Sequence, residues 1–246
     1  MTIANETELR GMEEVGRIVG RTLNALVPRI KAGTTTAELD AVAEGLLGEH
    51  GARSAPRLVY GFPATICISV NEEVVHGIPG ERVLRGGDIV TVDVTAEKDG
   101  FMADAARTVV VPLASKLKRR LSACARVAFS EAMKVARPGR RVREIGGAIE
   151  GVARRQGFRA IRDLAGHGIG RTIHEAPSVP CVYEAGQTET LTPGMVLAVE
   201  PMISAGADVT RTERDGWTIS TVDGSLSSHY ENTILITRGA PRILTR

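Results

Sequence analysis

Apolar positions recur at helical spacing from residue 7 to residue 29, where Leu9, Met12, Val15, Ile18, Val19, Leu23, Leu26 and Val27 form one stripe. That spacing predicts an amphipathic helix. A second helix is expected from Thr35, which has capping-box spacing to Glu38, through "AELDAVAEGLLGEH" to a stop at Gly51. The period then changes. Residues 90 to 111, "VTVDVTAEKDGFMADAARTVVV", read as two Val-rich strands around an Asp99-Gly100 turn. Two later stretches, "MVLAVEPMI" and "SHYENTILI", have the same strand-like character, each with one acid among apolar residues.

The pattern repeats. "KAGTTTAELDAVAEGLLGEHGA" from Lys31 aligns without a gap with "RPGRRVREIGGAIEGVARRQGF" from Arg137, 106 residues on, matching Gly33 with Gly139, Glu38 with Glu144 and Gly51 with Gly157. The preceding helix also has a counterpart, at about 114 to 135. Downstream, "GGDIVTVDV" lies against "TPGMVLAVE", so that Asp93 falls on Glu200, and "HGIP" at His76 resembles "HEAP" at His174. Each half reads helix, helix, strands, hairpin. We therefore expect an α+β fold of one domain, 1–246, whose pseudo-symmetric halves, roughly 7–111 and 114–237, form a curved antiparallel sheet backed by helices.

The acids are the anomaly. Aspartate is depleted in strands, and an ionised carboxylate in a dry interior is strongly disfavoured without a partner. With a two-residue turn at Asp99-Gly100, Thr95 faces Asp104, and Asp93 lies diagonally from Asp104 on the same face, about 7–8 Å away at Cβ. An odd-length loop would put the two on opposite faces, and an edge hairpin could leave both in solvent. If they share a face, Asp93, Asp104, Glu200 and Glu231 together with His167, in the Gly-flanked turn "AGHGIG", would balance and bind two divalent cations. Oxygen-rich ligation of this kind suits manganese, iron, cobalt or zinc in a reactive centre.

Composition narrows the class. The chain has 246 residues, 43% of them hydrophobic, which describes a globular protein. Its net charge of +2 gives no argument for nucleic acid as the main partner. No apolar run approaches the roughly 20 residues of a membrane span, and "MTIANETELR" lacks the form of a signal peptide, so a cytoplasmic location is expected. Cys67, Cys124 and Cys181 are too few and too scattered for a disulfide framework or a zinc knuckle. "GHGIG" has the wrong spacing for a dinucleotide site.

"CISVNEEVVHGIP", "GDIVTVDVTAEKDGFMADAART", "AGHGIGRTIHEAP", "GMVLAVEPMI" and "DGWTISTVDGSLSSHYENTILIT" resemble, in order and across nearly the whole chain, the motifs of the type I methionine aminopeptidases, which have the pita-bread fold. The resemblance implies that Asp93, Asp104, His167, Glu200 and Glu231 hold a metal pair, with Asp104 and Glu231 bridging. It implies attack by a metal-bridging hydroxide on the first peptide bond, with Glu200 as proton shuttle, His174 at the oxyanion and His76 at the scissile amide nitrogen. The substrates would be N-termini of nascent polypeptides whose second residue is small. The basic clusters from Lys116 and Arg137 could dock on ribosomal RNA, although a solvated face is the plainer reading.

Phe62, Cys67 and Trp217 fit the family's methionine pocket. Four positions depart from the family at places expected to touch the pocket: Val59 and Ile173 stand where aromatic residues often line it, Ala103 where a Gly usually precedes the second Asp, and Asn232 where His is common. Two other functions stay open, a proline-directed peptidase and a non-catalytic binding module, both of the same fold.

Overall fold

A computed structural model describes residues 1–246. The first half contains helix α1 (Glu6–Leu26), α2 (Thr36–Glu49), strand β1 (Arg53–Ser54), the short helix α3 (Ala55–Tyr60), β2 (Cys67–Val70), β3 (Glu73–Val75) and the long hairpin β4 (Ile89–Lys98) and β5 (Phe101–Val110). The second contains α4 (Lys116–Val135), α5 (Val142–Arg155), β6 (Arg159–Ala160), β7 (Ala165–Gly168), β8 (Glu175–Pro180), β9 (Val196–Val199), β10 (Met202–Ser204), β11 (Thr210–Thr212), β12 (Ile219–Thr221), β13 (Ser227–His229), β14 (Asn232–Leu235) and β15 (Arg242–Ile243).

Local chemistry sets the helix ends. Asn5 caps α1 by accepting the Glu8 N–H, and Pro28, which has no N–H to donate, falls in a 3-10 turn at Val27–Arg29 that ends the helix three residues short of the expected end at 29. Thr35 and Glu38 form a reciprocal capping box on α2. In α5, Glu144 likewise accepts the Arg141 N–H, but arginine has no acceptor with which to return the bond. The devices therefore recur 106 residues apart: Gly33 and Gly139 are both left-handed, as are Gly51 and Gly157, and β1 and β6 start at equivalent positions.

The antiparallel strands are divided by hydrogen bonding into four sheets, β1-β4-β2 with β5 on the free edge of β4, β13-β10-β6, β11-β12-β3, and β15-β14-β9-β7-β8. Bulges at Ile219/Ser220 and His167/Gly168 interrupt the ladders. Two hydrophobic clusters of comparable size, 31 and 27 buried residues, lie behind them. The first is built around α1, α2 and the β4–β5 hairpin, the second around α4, α5 and the strands of the second half. No helix is long and apolar enough to cross a membrane.

Between the halves, threonines replace a ladder. The Thr233 hydroxyl accepts the Asp104 N–H at 2.9 Å and donates to the Asp104 carbonyl at 2.8 Å. Thr108 does the same for the backbone of His229, and the Glu231 N–H donates to the Ala106 carbonyl. These bonds bring the edge of β5 against residues 229–233.

Helix packing gives a paired prediction. Gly45 on the exposed face of α2 has nothing near the position of an added Cβ, so Gly45→Ala should raise stability by about 0.5–1 kcal/mol through lost unfolded-state freedom. At Gly146 in α5 a Cβ would overlap the carbonyl oxygens of Val182 and Pro180, and Gly146→Ala should cost about 1–3 kcal/mol. Urea midpoints of the two variants, moving in opposite directions at constant m, are the measurement.

Candidate metal centre

The β4–β5 hairpin turns at Asp99 and Gly100, both with positive φ, as the two-residue type I′ turn requires. Thr95 therefore pairs with Asp104 and Asp93 with Ala106, leaving Asp93 and Asp104 diagonal on one face. Glu200 follows directly on β9, and Glu231 lies between β13 and β14. Two groups of donors have their ligand atoms within 4.8 Å of one another: Asp104, His167 and Glu231, and Asp93, His229 and Glu231. Glu200 reaches both, with Oε1 3.6 Å from His167 Nε2 and Oε2 3.5 Å from His229 Nε2.

The setting of His167 differs from the Gly-flanked turn expected. It lies in strand β7, paired with Ala198 and Ser178, and the space that side chains at Gly166 and Gly168 would fill is taken by the carbonyl oxygens of Ala198 and Ala176. Those glycines admit neighbouring strands rather than a ligand.

Burial sets the electrostatics of the site. Burial, followed by the charge of Asp104, pushes the carboxyls of Asp93, Glu200 and Glu231 well above the usual range. Burial pulls the imidazoles down, His167 to about 4 and His229 to about 3, and lowers His76 and His174 as well. Every shift is toward the neutral form. Of eight buried side-chain polar atoms without a hydrogen-bond partner, five are here: Asp93 Oδ1, Asp104 Oδ1, Glu231 Oε1 and both ring nitrogens of His229. No lysine or arginine pairs with any of the four carboxylates. Arg107, the nearest guanidinium, donates to the Glu231 carbonyl and to Asn232 Oδ1 instead. Oxygen-rich donors with orphaned atoms and no protein cation fit divalent metal ions.

Beside these donors is a cavity of about 200 Å³. Its polar wall carries His76, held at the left-handed φ of 59°, and His174, whose ring lies 4.2 Å from that of His167. Phe62, Cys67, Ile173 and Trp217 line the apolar side, with Phe62 and Trp217 edge to face at 5.3 Å. The carboxylates around Cys67 add to burial in raising its thiol well above the ordinary value.

Three expectations about the pocket are corrected. Val59 does not line the cavity. It is 39% exposed, and its neighbour Tyr60 occupies the wall, with its hydroxyl 2.5 Å from His174 Nδ1. Ala103 alternates with Asp104 along β5 and faces the helix-backed core, and Asn232 bonds Arg107 and Thr245 rather than facing the cavity. Tyr60 and His229 were not expected at the site. His229 stands two residues before Glu231, and that spacing was its one local signal.

The sequence pattern of metallopeptidase family M24 matches residues 10–238. The chain is 43% identical over 243 residues to a methionine aminopeptidase of Clostridium perfringens, covering 99% of this chain and 98% of that one. Over 248 residues it is 40% identical to methionine aminopeptidase 2 of Bacillus subtilis, with both chains fully covered. The crystal structure of a methionine aminopeptidase from Thermotoga maritima matches it with a TM-score of 0.96 at 36% identity, over the whole of both chains.

Thr233 joins the halves at this point, so Thr233→Val should destabilise the metal-free protein by about 1–3 kcal/mol by leaving the buried Asp104 N–H unpaired. Urea unfolding checks this, with an unchanged midpoint as the contrary result.

Proposed function

The chain belongs to metallopeptidase family M24 and has the pita-bread fold, and on that premise we propose that it removes the initiator methionine from nascent polypeptides whose second residue is small. One observation carries the reading: four carboxylates and His167 converge on one wall of a cavity with no protein cation to compensate them. Asp93, Asp104, His167, Glu200 and Glu231 would hold two divalent ions, cobalt, manganese, iron or zinc. When bound, such a pair supplies Lewis acidity, easing deprotonation of water and polarising the scissile carbonyl.

The chain's own groups do the rest. The methionine side chain enters between Phe62, Trp217, Ile173 and Cys67, whose raised thiol stays neutral. With the Tyr60 hydroxyl donating to Nδ1, the His174 ring proton sits on Nε2, from which it can donate to the developing oxyanion. Glu200 takes a proton from the attacking water and passes it to the leaving amine. His76, fixed in an uncommon backbone conformation, contacts the scissile amide nitrogen. Residues 1–246 act in this scheme as one catalytic unit.

The same reading sets the enzyme in the cytoplasm with newly made chains. Docking on ribosomal RNA would fall mainly to the exposed Lys116, because Lys118, Arg120, Arg137 and Arg141 already donate to the protein's own carbonyl groups. A non-catalytic module would have no use for orphaned buried carboxylates.

The deciding experiment is methionine release from Met-Ala, Met-Thr and Met-Lys peptides before and after dialysis against a chelator. Release should vanish, return with manganese, cobalt or iron, and favour Met-Ala over Met-Lys by at least about tenfold in kcat/KM, which corresponds to about 1.4 kcal/mol. Full activity without metal would overturn the mechanism, and faster cleavage of Xaa-Pro peptides would favour the proline-directed reading. Separately, His76→Ala should lower kcat about 10²- to 10⁴-fold. Metal content measured on the same preparation should stay that of the wild type, and its loss would make His76 a ligand.

A further inference from the structure

His229 ends strand β13 with its side chain only 1% exposed and neither ring nitrogen bonded to anything. A neutral imidazole carries one N–H and one lone pair, and leaving either unpaired in the interior is unfavourable. The ring has little freedom to seek a partner elsewhere. Its backbone N–H and carbonyl are both bonded to the Thr108 hydroxyl, at 3.0 and 2.7 Å, and His229 is registered opposite Met202 in β10.

Where that ring points is informative. Nε2 lies 3.5 Å from Glu200 Oε2 and 3.6 Å from Glu231 Oε2. Both separations exceed the hydrogen-bond range of about 2.7–3.2 Å. They match the spacing of two donor atoms around one ion: with metal–ligand distances of about 2.0–2.2 Å, neighbouring donors stand roughly 2.8–3.6 Å apart. His167 Nε2 stands at the same spacing, 3.6 Å, from the other oxygen of Glu200. The Glu200 carboxylate is thus bracketed by two imidazoles, and Glu231 is common to two donor groups that each contain a second carboxylate and one histidine.

The geometry points to His229 as a sixth protein ligand, binding through Nε2 the ion held by Asp93 and Glu231. This rests on the metallopeptidase reading and extends it, because the two metal positions then resemble each other, each with one imidazole. A second imidazole shifts the site's preference from manganese toward zinc, cobalt or iron, which take nitrogen donors more readily. The competing role, an Nε2–H that donates to the two glutamates without touching metal, is separable by experiment.

The full-length chain, labelled with ¹⁵N-histidine and stripped of metal, is titrated with zinc and followed by long-range ¹H–¹⁵N spectra and calorimetry. Of its five histidines, two, His167 and His229, should shift to metal-bound nitrogen values. This readout needs no substitution. His229→Gln, which keeps a neutral N–H donor, should leave one zinc equivalent unaffected and weaken the other by at least about tenfold. A single shifting histidine, or a variant that binds both equivalents like the wild type, overturns the assignment while leaving the metallopeptidase reading intact. A wild-type chain that binds no zinc, manganese or cobalt would overturn both.

Discussion

Four carboxylates within reach of one another, largely buried and paired with no lysine or arginine, are the constraint around which this molecule is arranged. Left alone, they repel, and burial weights Asp93, Glu200 and Glu231 further toward the protonated form. The imidazoles among them respond in the opposite sense, losing their protons. The protein can hold such a set only because the surrounding structure is stiff: a long hairpin with a tight turn supplies two acids, and strands backed by separate hydrophobic clusters supply the others. A divalent ion, by contributing positive charge where the chain has none, turns the same arrangement from a liability into a source of stability.

Most of the local architecture was legible in the sequence, for physical reasons. Helices α1 and α2 announce themselves through period and caps because those determinants lie within a few residues of one another. The diagonal relation of Asp93 to Asp104 followed from an Asp-Gly turn, since hairpin loop length fixes register. The acids stood out because strands rarely contain them. What could not be read was orientation determined at a distance. Val59 and Tyr60 differ by one helical step in α3, and only the docking of that helix against His174 decides which faces the cavity. His229 is unremarkable until Thr108, a residue of the other half, clamps its backbone. His167 was placed in the right neighbourhood with the wrong explanation, because glycines that accommodate adjacent strands look the same in sequence as glycines that accommodate a ligand.

The join between the halves is made by side chains rather than by a ladder. A continuous ladder across it would fix the two sheets to each other by repeated backbone bonds, but Glu231 and His229 would then have to follow the pleat of β5. Threonine hydroxyls, each accepting and donating, satisfy the backbone of Asp104 and of His229 without imposing that geometry. The acids can then converge from both sides at an angle that sheet pairing would not allow. Departures from ideal pairing, here as at the bulge beside His167, fall where side chains must be aimed.

The outer edge of β5 meets its neighbours only 121 to 129 positions later in the chain. At about 5–20 residues per second of synthesis, that edge waits roughly 6–25 s for its partners. An unpaired edge flanked by valines is a template for pairing with another molecule, and an inward-pointing charge is one of the devices that discourages it. Asp104 stands on this very edge. The residue that the finished fold draws into its cluster of carboxylates is, while the chain is incomplete, an acid of the kind that discourages one copy from joining the next.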